Sequence, residues 1–170
     1  MYHVLNYLVK ECQQLLISFW LLFGVSLAFA GQGVPFEIEA DQINYQPNSD
    51  YFMASGNVIV LYEGYKMYSD RLQYQFSTSD LFLNSNIVIH DQNQNIIKAN
   101  KTKLNLLNNT GVITSPNIQT KNQHYIKSQK ATILANEITL DQNQYTTCNL
   151  DHPHYRLNSS KTSLLSLIHI

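Results

Sequence analysis

Charge is scarce in this sequence. Only 14% of its 170 residues are Asp, Glu, Lys or Arg, and 11 basic against 12 acidic side chains leave a formal net charge of -1. A chain so balanced lacks the overall basic footprint of a nucleic-acid binder and the acidic bias of a disordered tail. Glycine is scarce as well. Six glycines leave little for a phosphate-cradling loop, and no Gly-x-Ser-x-Gly, His-Glu-x-x-His or Cys-x-x-Cys spacing occurs. No residue is therefore given a catalytic role, and no metal or cofactor is implied. The polarity comes from 18 Asn and 14 Gln, which solubilise a chain whose 44% apolar content is enough to fill a core.

The longest apolar run, Leu15 to Ala30, is broken only by Ser18 and Ser26 and ends in Ala28-Phe29-Ala30. That small-x-small ending is what a signal peptidase reads, so residues 1–30 are expected to be a signal peptide cleaved after Ala30. An uncleaved anchor is the alternative, since the run falls between a signal core and the roughly 20 residues that span a bilayer. Cys12 would leave with this segment. Cys148 would then be the one cysteine in an exported, potentially oxidising compartment, either free or paired outside the visible chain.

Downstream, a pattern repeats. Ile38-Glu39-Ala40-Asp41-Gln42, Met67-Tyr68-Ser69-Asp70-Arg71, Ile97-Lys98-Ala99-Asn100-Lys101 and Ile126-Lys127-Ser128-Gln129-Lys130 place a small residue at steps of 29, 30 and 29. Such a fixed period marks a stacked architecture. An echo sets Asn before a branched residue at Asn57, Asn86 and Asn117. Phe36, Ile38 and Ala40 alternate with acids, and Leu72, Tyr74 and Phe76 with Arg71, Gln73 and Gln75, which is strand periodicity. Turn chemistry separates the runs at Gln46–Asp50, Glu63-Gly64, Ser77–Asp80, Asp91–Asn95, Asn108–Gly111, Lys121–Gln123 and Asp141–Gln144. An all-β fold of about four two-stranded repeats follows, with an ordinary sandwich as the alternative. In Val58–Tyr62 and Ile87–Ile89 the alternation fails. These strands are either covered on both faces or curved into an apolar trough.

Two segments imitate metal sites. Asp91–Asn95 starts like a calcium loop, but Ile96 stands where Gly is needed and Thr102 where a bidentate Glu is needed, so it reads as a hairpin turn. Asp151, His152 and His154 lack further ligands at a recognisable spacing and read as surface residues. The sequons at Asn100, Asn108 and Asn158 matter only in a eukaryotic secretory route.

Ile38–Ile43, Ala54–Val58 and Tyr68–Leu72 together resemble the OstA-like domain of bacterial lipopolysaccharide-transport proteins, over roughly Phe36 to Leu157. The resemblance implies a β-jelly roll, or open β-taco, whose apolar interior holds the acyl chains of lipopolysaccharide. Tyr145–Cys148 followed by Pro153–Leu157 is similar to the end of the periplasmic domain in the family's outer-membrane assembly protein, and differs from the soluble bridge protein LptA, which has no such cysteine. On that likeness Cys148 would form a disulfide with a C-terminal β-barrel. The partners implied are lipopolysaccharide, LptA by edge-strand pairing, the lipoprotein LptE and that barrel. The location implied is the periplasm, attached to the outer membrane in the full-length protein. Gly31-Gln32-Gly33 lacks the second cysteine often found near the mature start.

Groove-lining candidates are the apolar members of alternating strands: Ile38, Ile43, Tyr45, Phe52, Val58, Val60, Leu72, Tyr74, Phe76, Leu83, Ile87, Ile89, Leu104, Leu106, Val112, Ile118, Ile133, Ile138 and Leu140. Alternation alone fits a filled core equally well. The expected domain is 31–158. Leu164 to Ile170 break both the repeat and the amide-rich composition, and 159–170 is expected to be a truncated end with an artefactual tail, the alternatives being a genuine hydrophobic terminus or a short family member. The rival readings are a soluble LptA-like shuttle, a carbohydrate-binding β-solenoid and a hydrolase on a β-sandwich.

Overall fold

The computed structural model describes residues 35–46, 48–134, 137–148 and 153–165, the side chains of 164 and 165 excepted. The expected signal segment with Ala28 and Ala30, and also Asp151 and His152, lie outside them. Twelve strands follow in order: β1 (Glu37–Glu39), β2 (Gln42–Tyr45), β3 (Tyr51–Tyr62), β4 (Tyr65–Gln75), β5 (Asp80–His90), β6 (Ile96–Asn105), β7 (Thr110–Thr114), β8 (Asn117–Gln119), β9 (Tyr125–Lys127), β10 (Lys130–Leu134), β11 (Glu137–Thr146) and β12 (Leu157–Leu165). All pair antiparallel in one sheet.

The small-polar step of the repeat turns out to be a crease. The β3–β4 register shifts between Ser55 and Val58, β4–β5 between Tyr68 and Arg71, and β5–β6 between Asn84 and Ile87. Left-handed residues cluster there: Gly56 (φ 77), Asn57 (φ 46), Ser85 (φ 67), Asn86 (φ 52), Ser115 (φ 52) and Gln142 (φ 48). Such bulges bend a strand and sharpen its twist. Polar clamps hold the crease: Asn57 Nδ2 donates to Asp41 Oδ2 at 3.0 Å, and Asn86 Nδ2 to Asp70 Oδ2 at 2.8 Å. Asp41 and Asn57 thus belong to the two halves of the repeated pattern, which explains why both recur.

The crease divides the sheet into two arms. In the first arm β2 pairs with the start of β3, and the end of β6 continues through β7 and β10 to the start of β11. In the second arm β1 pairs with the end of β3, and the start of β6 continues through β8 and β9 to the end of β11. The arms fold towards each other over one apolar core. Phe36, beside β1, meets Tyr74 of the opposite arm edge-on at a centroid distance of 5.1 Å.

Two expectations change. Asp141–Gln144 is not a turn but the middle of β11, where Gln142 takes the left-handed step. Polar residues that tolerate positive φ serve a crease as well as a hairpin. Residue 158 is not the domain's edge either, because β12 pairs with β11 from Tyr145↔Leu157 to Glu137↔Leu165. The strand adds a fifth copy of the repeat: Ser159 Oγ donates to the Lys161 carbonyl at 2.8 Å, as Ser69 does to Arg71 at 3.0 Å and Ser128 to Lys130 at 2.9 Å. Of the two alternatives for the doubly apolar strands, the curved one is observed: Ile59, Leu61 and Val88 turn to the outer surface, with Leu61 exposed. Asp91–Asn95 is the hairpin turn expected of it, its carboxylate accepting from the Asn93 and Asn95 amides at 2.8 Å each.

Candidate functional site

Directly opposed residues in an antiparallel sheet share a face, so the register sorts the groove candidates. One inner row runs Ile43, Ala54, Leu72, Leu83, Thr102, Ile113, Ala131 and Leu140 through the first arm. Another runs Ile38, Val60, Met67, Ile89, Ile97, Ile118 and Ile126 through the second. Phe52, Val58, Val60, Leu72, Tyr74, Leu83, Ile87, Ile89, Leu106 and Leu140 are buried. Ile38, Phe76, Leu104, Ile118, Ile133 and Ile138 are partly buried and pack against them.

One candidate lies elsewhere. Val112 is opposite Lys103 and Thr132, on the outer face, while its neighbour Ile113 takes the inner position. Two adjacent branched residues carry no sign of which one points inward. Ile43 and Tyr45 share the inner rows with Ala54 and Phe52, yet they stand 51% and 56% exposed on the edge strand β2, where no further strand covers them. Alternation missed Met67, Leu81, Ile113 and Ala131 as inner residues, although each fits its strand's period.

The interior is graded. Near β1 to β5 it is filled by Phe36, Phe52, Tyr74 and Phe76, whose ring centroids lie 5.1 to 6.2 Å apart. From β6 onward Leu106, Ile113, Ala131 and Leu140 are buried, while Ile97, Leu104, Ile118, Ile126, Ile133 and Ile138 are aliphatic and only partly buried. A latch crosses the mouth between the arms. Tyr62 Oη donates to the Leu106 carbonyl at 3.0 Å and to Asn109 Oδ1 at 3.2 Å. Burial, helped by the charge of Glu63, pushes the Tyr62 hydroxyl above its ordinary value. Beside it, Pro35, Phe36, Glu37 and Leu61 to Lys66 line a surface hollow of about 570 Å³.

One inner polar atom stands out: Thr102 Oγ1 is buried with no hydrogen-bond partner, between Leu83 and Ile113. An unmet buried hydroxyl costs about 1–3 kcal/mol. Thr102→Val, of the same shape, is expected to raise the unfolding free energy by about 1 kcal/mol in a urea titration. A loss of stability there would mean the hydroxyl has a partner.

Polar groups frame the rest. Asp80 is ion-paired with Lys103 at 2.9 Å; burial raises its carboxyl, but the Lys103 and Asn105 hydrogen bonds prevail and hold it below the ordinary range. Cys148 is free and half-buried, with Sγ 3.7 Å from His154 Nδ1, and the His154 hydrogen bond lowers its thiol pKa.

No protein-family model matches the chain, and no curated protein matches it in sequence. Among solved structures it is similar to LptH of Pseudomonas aeruginosa, the LptA-homologous periplasmic component of the lipopolysaccharide transport device. The TM-score is 0.52 at 8% identity, over 77% of this chain and 94% of that one. At that identity the likeness is one of fold: this chain is an all-β jelly roll of the kind LptH has.

Proposed function

We propose that this protein carries lipopolysaccharide through the periplasm, sheltering acyl chains between the two arms of its creased sheet. The observation that carries the reading is the apolar inner face, interrupted in its rows by Thr102, which passes from an end filled by aromatic rings at β1–β5 to aliphatic rows at β6–β11 that hold six partly buried side chains. A methylene removed from water contributes about 0.8 kcal/mol, so an acyl chain of about a dozen carbons gains on the order of 10 kcal/mol in such a place. Breaking the Tyr62 latch costs about 1 kcal/mol. The gain therefore exceeds what parting the mouth at that bond requires. The LptH likeness supports this reading, since that protein belongs to a lipopolysaccharide transport device.

The finer assignment is the periplasmic domain of an LptD-type assembly protein, docked to LptA through β1 and held to LptE and a barrel. Cys148 favours it over a soluble LptA-like bridge. Its thiol is free among the described residues and is shifted by His154 towards the thiolate, the form that enters disulfide exchange. A disulfide-linked species that collapses on reduction, and is absent in Cys148→Ser, is the outcome this assignment requires.

The transport reading is tested by photo-crosslinking in cells. A benzophenone side chain at Leu104 or Ile133 is expected to capture lipopolysaccharide, and one at Val112, on the outer face, is not. Equal capture at all three positions, or at none, would overturn the groove.

A further inference from the structure

The net charge of -1 conceals a strong polarity along the sheet. From Pro35 to Asn95 there are eight acidic side chains against Lys66 and Arg71; from Ile96 to Leu165 there are eight basic side chains against Glu137, Asp141 and Asp151. The basic excess is ordered. Residue pairing across the first arm runs Arg71, Asn84, Lys101, Thr114, Lys130, Asp141, Lys161, so a cation stands on every second strand. Lys98 and Lys127 form a second, shorter file across the crease, with Asn117 between them. With neighbouring strands about 4.8 Å apart, the four cations of the first file are spaced about 10 Å over roughly 30 Å.

These side chains point outward, because Leu72, Thr102, Ala131 and Leu140, next in the file on the inner side, are buried. All six cations are exposed, and the ion pair described in the chain, Lys103 with Asp80, involves none of them. Two carboxylates lie close by. Asp141 interrupts the file between Lys130 and Lys161, and Asp70 is occupied by Asn86. The crest lies on the convex side of the crease, away from the mouth fastened by Tyr62, so it serves something outside the interior.

We propose that this crest docks the protein onto an anionic lipid bilayer, with Arg71 of β4 and the β6–β12 strands against the headgroups and the acidic β1–β3 edge tilted away. Charge complementarity selects the occupant. None of the six cations lines a surface hollow, and the one beside the file, between Gln129, Gln142 and Ser160, is walled by amides and hydroxyls, so a compact anion finds no charged seat, whereas headgroups in a fluid bilayer diffuse to match a spacing of about 10 Å. A second copy offers no such match: its acidic edge presents Glu37 and Glu39 on a three-residue strand, far shorter than the file.

Each cation near an anionic surface contributes about a five-fold gain in binding, and the effect is screened by salt. The test is flotation of the compact unit Val34–Ile170 with phosphatidylcholine vesicles containing or lacking phosphatidylglycerol. The native protein is expected to float only with the anionic vesicles and to release at high salt. The variant Lys101→Gln/Lys130→Gln/Lys161→Gln should lose on the order of 100-fold in partitioning. A control with the same net charge, Lys66→Gln/Lys121→Gln/Arg156→Gln, should keep most of it, and circular dichroism should show all three folded. Equal losses in the two variants, or no flotation of the native protein at low salt, would overturn the crest. Retention on soluble polyphosphate, or salt-sensitive self-association, without vesicle binding would overturn the choice of a bilayer.

Discussion

Shortening Leu81 to alanine is expected to cost about 2–5 kcal/mol of unfolding free energy, the range for a large aliphatic side chain removed from a packed interior. Leu81 is 0% exposed and stands opposite Tyr74 and Leu104, in the part of the interior that aromatic rings fill. Its neighbourhood cannot collapse into the space, because strands on both sides fix the backbone. Leu104, one strand further on the same inner row, is only partly buried, so Leu104→Ala should cost clearly less. Leu107, 76% exposed in the β6–β7 turn, should cost next to nothing. The ordering Leu81, Leu104, Leu107 in guanidinium titrations is what the graded interior requires. Equal costs at Leu81 and Leu104 would mean that the interior is uniformly packed, and the partly open end invoked for acyl chains would have no basis.

That gradient is not legible in the sequence. Apolar alternation marks Leu83 and Leu104 alike, and only the strand register and the reach of Phe36 across to Tyr74 tell the filled end from the part-open one. The repeat was legible, because a small residue followed by Asp, Asn or Gln is what a crease needs at Ala40, Ser69, Ala99 and Ser128. Its fifth copy, Ser159-Ser160-Lys161, escaped because it comes 31 residues after Ser128 and is followed by an apolar tail. Asp141–Gln144 reads as a turn for the same physical reason that holds at the hairpins: side chains tolerant of positive φ serve both uses. Charge gave the opposite kind of failure. The average excluded a basic footprint, while the order of Arg71, Lys101, Lys130 and Lys161, visible at the repeat's own spacing, was lost in that average.

The crease itself offers the sharpest test of how the repeat works. Gly56 sits in it with φ +77, a conformation that costs a side-chain-bearing residue about 1–2 kcal/mol and a β-branched one more. A Cβ there would also run into Asp41, approaching its Cβ to 2.9 Å and its Cγ to 3.0 Å. Asp41 has little room to yield, since its amide donates to the Gly56 carbonyl at 2.9 Å and its carboxylate accepts from Asn57. Gly56→Val is therefore expected to destabilise by about 3 kcal/mol, the sum of a left-handed penalty and one lost clamp. Gly64 separates these two causes. Its φ is +80, but the atoms a Cβ would meet belong to the exposed Gln92 side chain, which swings aside by exchanging its hydrogen bond to the Glu63 carbonyl for one to water. Gly64→Ala should thus show the backbone penalty alone, and Gly56→Ala more than that. Replacing Asp41 by Ala in the Gly56→Ala background should return part of the difference, because the collision goes while the backbone strain stays. If Gly56→Ala and Gly64→Ala were equally costly, the Asp41 contact would be irrelevant to the crease, and the recurrence of Asp41 and Asp70 opposite Asn57 and Asn86 would need another cause.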